Sequence, residues 1–232
     1  MTSSAMSCEL SLVFPAHDEQ DNIAQTAERA RRTLARLGLS GEVIVVDDGS
    51  TDETAAIAAS IPGVRLIRHG RNRGYGAALR TGFEAARGER VFFTDADLQF
   101  DLAELAALLG PAATADIVIG YRNPRQDPLH RRVNARAWGA LVGHLFDLGV
   151  RDVNCAFKLI HRRVFEAVSL RSEGAFINTE LLARARAAGF SIREVPVRHY
   201  ARAHGQQSGN RPDVVLRAFA ELGRLHRQLS LR

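Results

Sequence analysis

The sequence predicts an α/β fold, a mostly parallel twisted sheet with helices on both faces. Two observations carry this: short apolar runs alternate with helical patterns from residue 10 onward, and acidic and other polar residues gather just after the apolar runs. In order, Leu10 to Phe14 reads as a strand, Asn22 to Leu37 as a helix, Val43 to Val46 as a strand and Thr51 to Ala59 as a helix. Val64 to Ile67 is strand-like, Gly76 to Ala86 helical, Val91 to Thr94 a strand, Leu102 to Leu109 a helix and Ile117 to Ile119 a strand. Repeated βα units pair in parallel, and ligands then bind beyond the carboxyl ends of the strands.

The second half is less regular. A loop at Asn123 to Pro128 precedes a long helix, Leu129 to Leu148, and a short extended segment follows at Phe157 to Ile160. Thr179 to Ala188 reads as a helix and Ile192 to Val197 as a strand. His199 to Pro212 is a polar loop long enough to act as a flap, and Val214 to Leu229 is an amphipathic helix. The 232 residues, 46% of them hydrophobic, suit one domain around one sizeable core.

The formal charge of +5 suits an anionic substrate or surface without demanding nucleic acid. Lys158 is the sole lysine, so each arginine is weighed by its position. Cys8 and Cys155 are too few for a disulfide framework and are not spaced as zinc ligands, which fits a reducing compartment. No apolar run approaches the ~20 residues that span a bilayer, and a cytoplasmic protein touching membrane only from its surface is expected.

After the strand ending at Thr94 comes Asp95-Ala96-Asp97-Leu98-Gln99. Alternation in an extended segment would turn Asp95, Asp97 and Gln99 to one side, and hard oxygen donors of this kind suit Mg²⁺ or Mn²⁺. Two carboxylates bracketing Ala96 repel one another unless a cation lies between them. Asp101 is read as a helix cap. The second strand ends in Asp47-Asp48-Gly49-Ser50-Thr51-Asp52-Glu53, where Ser50 and Glu53 form an expected capping box. Capping leaves Asp47 and Asp48 unexplained, and both are placed to accept hydrogen bonds from a nucleobase or ribose. Pro15-Ala16-His17-Asp18-Glu19 brings further polar groups to the same edge. Gly74-Tyr75-Gly76 lacks a third glycine and does not directly follow a strand, which excludes a dinucleotide fingerprint.

Pro15 to Glu19, Asp47 to Asp52, Asp95 to Gln99 and Asp152 to Lys158 together resemble the motifs of inverting GT-A glycosyltransferases of the dolichyl-phosphate mannose synthase and polyprenyl-phosphate glucose synthase type. The resemblance covers about residues 11–208. It implies that Pro15, Ala16, His17, Glu19, Asp47, Asp48, Arg73, Asp95, Ala96 and Arg202 surround the nucleotide, and that Asp95, Asp97 and Gln99 hold the metal. It also aligns Arg122 and Arg132 with acceptor-phosphate arginines, places Glu180 near the reacting sugar, and counts Lys158 and Asp97 in the catalytic set. Arg202, His204 and Ser208 match a pattern that closes over a diphosphate. His17, Asp18, Phe100 and Ala156 stand where the family usually has Tyr, Asn, His and Gly.

A phosphate acceptor also agrees with the chemistry, because a phosphate monoester is already an anion and needs positioning and charge compensation more than a base. Arg122, Arg131, Arg132 and Arg136 are suited to supply both. The expected activity is metal-dependent inverting transfer of a hexose from GDP-mannose or UDP-glucose to a polyprenyl phosphate. The alternatives are transfer to a hydroxyl, with Glu180 as base, and a non-catalytic nucleotide-binding subunit. Membrane contact would come from a membrane-anchor partner protein or from the helix at Leu129 to Leu148, while the terminal helix is expected to pack on the core.

Overall fold

The computed structural model describes residues 8–124, 129–202 and 212–230. β1 (Leu10–Ala16), α1 (Ile23–Leu37), β2 (Gly41–Asp47), α2 (Thr54–Ser60), β3 (Val64–Arg68), α3 (Tyr75–Ala85) and β4 (Arg90–Thr94) form the regular first half. α4 (Leu105–Leu109), β5 (Ile117–Arg122), α5 (Leu129–Phe146), β6 (Phe157–His161), α6 (Arg162–Ala167), α7 (Ile177–Ala187), β7 (Ile192–Val197) and α8 (Pro212–Ser230) form the second.

Among the described residues seven strands lie in one sheet, ordered β3-β2-β1-β4-β6-β5-β7. The pairs β1–β2, β1–β4, β2–β3 and β5–β7 are parallel, as expected. Only β6 runs antiparallel, between β4 and β5. Two reversals restore direction, so β4, β5 and β7 end at the same edge as β1 and β2.

Side-chain alternation splits the core. Leu10, Leu12 and Phe14 of β1 pack with Ile23, Ala30 and Leu34 of α1 and Leu105 and Leu108 of α4. Val13, with Ile44 and Val46 of β2, packs against Ala78, Leu79 and Phe83 of α3. Leu181 and Leu182 of α7 and Leu222 and Leu225 of α8 extend that second layer.

Three local readings change. α2 begins at Thr54 with no side-chain cap at Glu53, so the Ser50–Glu53 capping box does not form. Ser50 Oγ instead accepts from the Asp18 amide at 3.0 Å, and Asp52 Oδ1 accepts from the Thr54 amide at 2.9 Å. The Asp95–Gln99 segment is bent rather than extended, because Leu98 adopts a left-handed φ of 62°. The expected stripe on the terminal helix divides: Leu222 and Leu225 are buried, whereas Leu216 and Phe219 are exposed. α6 is an element the sequence reading missed. Asp101 does cap, accepting from the Ala103 amide at 2.9 Å.

Candidate active site

The strand ends deliver the polar cluster. Asp47 closes β2, fully buried, and its Oδ1 accepts a 3.3 Å bond from the Ser50 amide while Oδ2 has no hydrogen-bond partner. Arg68 on neighbouring β3 approaches it to 3.6 Å. Asp48, one residue on, is differently employed. Its oxygens accept from the Arg73 and Gly74 amides at 2.9 and 2.8 Å and from His69 Nδ1 at 2.6 Å. His69 Nε2 reaches Thr81 Oγ1 at 3.0 Å, so Asp48 pins the loop after β3 onto α3. Gly74, at φ 98°, packs where a Cβ would lie 2.4 Å from the Glu173 carbonyl, a place open to glycine alone. These bonds give Asp48 a scaffolding role. His17, Gly49, Ser50, Thr51, Arg68 and residues His69 to Asn72 line a cleft of about 660 Å³. The Arg73 side chain is exposed beside it.

Asp95 and Asp97 follow β4. Asp97 is buried, its Oδ1 holding the Gln99 amide at 3.1 Å. Asp95 Oδ1 and the Tyr75 hydroxyl are both buried without a hydrogen-bond partner. Burial, then the charge of Asp97, push the Asp95 carboxyl up to about 7, and burial raises Asp97 as well. Ala96 is buried and its carbonyl accepts from Thr26 Oγ1 at 2.9 Å, which fixes the turn to α1. The Gln99 amide nitrogen donates to the Tyr200 carbonyl at 3.0 Å, and the Tyr200 amide returns a bond to the Gln99 carbonyl at 2.9 Å, tying the Asp95–Gln99 segment to the one after β7. That segment carries Arg202, which pairs with Glu19 Oε1 and lies 3.8 Å from Asp97 Oδ2. Glu19 also accepts from Asn22 at 2.6 Å. Residues 19, 97 and 202 are thus brought together.

Among the described residues, no three His, Cys, Asp or Glu side chains are grouped as a complete metal cage. A two-carboxylate site whose other ligands are substrate phosphate oxygens needs no such cage. The residues fit a divalent ion on one observation: two crowded carboxylates stand two residues apart after β4, and Asp95 keeps a buried oxygen without a hydrogen-bond partner.

Behind Asp95 lies Lys158. Fully buried on β6 opposite Phe93, it donates to the Cys155 carbonyl and, at 2.7 Å, to Asn178 Oδ1, and its ammonium sits 5.3 Å from the Phe93 ring centroid. Burial lowers its pKa to about 8, against the opposing influence of Cys155, Asp152 and Asp95. Burial raises the Cys155 thiol to about 12, which leaves it inert.

The expected acceptor residues are divided. Arg122, ending β5, grips Asp152 through a fork at 2.7 and 2.9 Å and is largely buried. Arg132 and Arg136 are exposed on α5. The Arg131 side chain, His204 and Ser208 lie outside the described residues, as does most of the expected flap. Glu180 is buried with both oxygens engaged: Oε2 accepts from the Arg171 and Ser172 amides at 2.9 and 2.8 Å and Oε1 from Arg184 at 2.8 Å. Burial pushes its pKa up, but these bonds outweigh it and the net shift is down. A carboxylate so held is a weak base.

Sequence reasoning overlooked Asp152, His69, Tyr75 and Asn178 as individual participants. Asp152 had a signal, as the first residue of the fourth motif. The other three are recognisable only by what they touch.

Residues 11–169 match the family described as Glycosyl transferase family 2. An undecaprenyl-phosphate 4-deoxy-4-formamido-L-arabinose transferase of Pseudomonas fluorescens is 33% identical over 206 residues, covering 85% of this chain and 59% of its own length. A dodecaprenyl-phosphate galacturonate synthase of Rhizobium johnstonii is 30% identical over 208 residues, covering 86% of this chain and 61% of its own. The chain thus spans about three-fifths of these curated relatives. Among solved structures, glucosyl-3-phosphoglycerate synthase from Mycobacterium tuberculosis in complex with Mn²⁺, UDP and phosphoglyceric acid superposes with a TM-score of 0.67 at 25% identity, over 96% of this chain and 76% of its own. The α/β architecture is that of the GT-A glycosyltransferases, and with the family match covering more than half its length, the chain belongs to Glycosyl transferase family 2.

Proposed function

We propose that this protein transfers a hexose, with inversion, from a nucleotide diphosphate sugar to a polyprenyl phosphate, working from the cytoplasmic surface of a membrane. The observation that carries the reading is the Asp95–Asp97 pair, in which Asp95 keeps a buried oxygen without a hydrogen-bond partner, at the strand edge that also bears Asp47 and Arg202. A divalent ion, Mg²⁺ or Mn²⁺, held by Asp95 and Asp97 with Gln99 beside them, would supply charge neutralisation for the departing nucleoside diphosphate.

The chain's own residues do the rest. Asp47, buried behind Arg68 next to the cleft that His17 lines, would serve as acceptor for the N–H or O–H groups of a base or ribose. Pro15 and Ala16 form the buried floor at the end of β1, and Glu19 holds Arg202 where a diphosphate would lie. The acceptor phosphate is an anion and attacks without deprotonation, positioned by Arg132 and by Arg122, whose orientation Asp152 fixes. The relatives' names support a polyprenyl phosphate acceptor. Glu180's full set of bonds disfavours a hydroxyl acceptor activated by that residue.

The test uses Mg²⁺, a short-chain polyprenyl phosphate and, in parallel, labelled GDP-mannose and UDP-glucose, with label extracted into organic solvent. Label that appears with one donor, and is lost with EDTA, supports the reading and names the donor. Nucleotide binding with no organic-phase label under any of these conditions overturns it. Label appearing instead on added phosphoglyceric acid would place the chain with its solved neighbour's acceptor type.

A further inference from the structure

Four elements meet behind the acid pair. Tyr75 opens α3, Asp95 follows β4, Lys158 lies on β6 and Asn178 stands in the first turn of α7. The start of α3 is clamped on both sides of Tyr75. Before it, the Gly74 amide donates to Asp48 at 2.8 Å. After it, the Gly76 and Ala77 amides donate to the Glu173 carbonyl at 2.7 and 3.3 Å, and a Cβ on Gly76 would collide with the Ser172 carbonyl. The segment that makes these contacts is itself fastened, since Glu180 takes the Arg171 and Ser172 amides. Tyr75 therefore has little freedom to move away from the side chains it faces.

Those side chains form a line of donors. Lys158 can only donate, so the Asn178 atom it meets at 2.7 Å is the carbonyl oxygen, and Asn178 Nδ2 is left with two protons to give elsewhere. Asn178 is buried, and the Tyr75 hydroxyl lies beside it. A hydroxyl accepts one bond while donating another, whereas an ionised carboxylate only accepts. The Tyr75 hydroxyl and Asp95 Oδ1 are each buried without a hydrogen-bond partner, one a donor and the other an acceptor. They are neighbours, and each acts on the other. Burial, then the charge of Asp95, push the Tyr75 hydroxyl well above its ordinary range, while the Asn178 side chain works against that shift. At Asp95, burial and then Asp97 raise the carboxyl, and the Tyr75 hydroxyl is the foremost influence in the other direction. Two buried groups of complementary kind are costly while unpaired, and joining them satisfies both.

We propose that Tyr75 is a positioning residue for Asp95: the Lys158–Asn178–Tyr75 line gives a hydrogen bond to Asp95 Oδ1 when a divalent cation holds the carboxylate ionised, and so turns Oδ2 to the ion. The proposal rests on the cation assigned to Asp95 in the reading above, and not on the sugar acceptor. Every bond in the line has one possible direction: Lys158 Nζ to Asn178 Oδ1, Asn178 Nδ2 to the Tyr75 oxygen, and the Tyr75 hydroxyl to the carboxylate. No proton changes hands. The line orders a carboxylate that would otherwise rotate freely, and groups that orient a ligand in this way raise its affinity for the ion.

The test is Mn²⁺ affinity of the full chain, followed by electron paramagnetic resonance with UDP and, separately, GDP present. Tyr75→Phe keeps the ring and removes a hydroxyl that has no partner to lose, so its circular dichroism melt is expected to match the wild type. Its Mn²⁺ affinity should fall about tenfold. In Raman spectra the tyrosine Fermi doublet of the wild-type protein should move toward a donating hydroxyl when Mg²⁺ and nucleotide are added, a change missing from Tyr75→Phe. Unchanged Mn²⁺ affinity in Tyr75→Phe overturns the proposal. So does a wild-type doublet that does not respond to Mg²⁺, because the hydroxyl would then form no new bond. A wild-type protein that binds no Mn²⁺ with either nucleotide removes both the cation at Asp95 and the role of Tyr75. Tyr75-dependent Mn²⁺ binding by a protein that transfers no sugar to lipid leaves this proposal standing and sinks the transfer reading; lipid transfer with a Mn²⁺ affinity indifferent to Tyr75 does the reverse.

Discussion

The two halves of the sheet treat their polar residues differently. In the β3-β2-β1-β4 half, strand and site alternate locally, so three of the four apolar runs are followed within a few residues by the acids they position: Glu19 after β1, Asp47 and Asp48 at β2, Asp95 and Asp97 after β4. In the β6-β5-β7 half the polar groups are assembled across long sequence distances. Arg122 meets Asp152, Lys158 meets Asn178, and Arg202 crosses to Glu19. The lesson concerns what each half does. The first supplies carboxylates with unmet demands, at Asp47 Oδ2 and Asp95 Oδ1, whereas the second supplies cations already held by partners.

Removing the acid with most at stake should break this division furthest. Asp97→Ala is expected to lower transfer on the order of 10³-fold and to abolish Mn²⁺ binding followed by electron paramagnetic resonance, because the loss of one carboxylate removes several kcal/mol of charge stabilisation. A variant that retains metal binding would move the cation site elsewhere.

On the opposite side, Lys158→Met should act first through stability. It leaves Asn178 Oδ1 and the Cys155 carbonyl buried without a donor and removes the cation nearest the Asp95 carboxyl, at a cost of about 3–5 kcal/mol in urea denaturation. A loss of activity without loss of stability would instead mark the ammonium as acting on substrate.

The adjacent aspartates sharpen the comparison within the first half. Asp48→Asn should lose about 1–3 kcal/mol, since three donors converge on the carboxylate, one of them His69. Asp47→Asn should leave the melting curve nearly unchanged and weaken nucleotide binding in calorimetry. Equal stability losses at both positions would erase the distinction between scaffold and site.

The smallest effect concerns Glu180. Its carboxyl titrates below the ordinary 4.5 in the folded protein, so the stability it contributes is complete above the unfolded value and is lost as pH falls through the folded one. Glu180→Gln should therefore lower stability at neutral pH and flatten the acid limb of a stability–pH curve. An unaltered acid limb would show that the carboxylate is not held as described.

Much of this was legible because it is local. The parallel strands, the edge where ligands bind, and the acids at 47, 95 and 97 follow from periodicity and from the rule that such sheets bind beyond their strand ends. The capping box at Ser50 failed because Asp18 and Asp52, from two different loops, took over its hydrogen bonds. Glu180 carries an ordinary first-turn signal with Arg184 one helical turn on, and nothing near it in sequence foretells that the Arg171 and Ser172 amides would take its other oxygen.

By itself, then, the sequence determined the βα order, the core-facing residues and which acids stand at strand ends, because hydrophobic period and short-range turn chemistry act within one or two elements. Only the tertiary structure decided which of two neighbouring aspartates is scaffold, that β6 reverses direction, that Lys158 lies buried behind Asp95, and that Leu216 and Phe219 face outward. Those outcomes depend on partners dozens to well over a hundred residues away, and a side chain's role is settled by which of its polar atoms those partners leave unsatisfied.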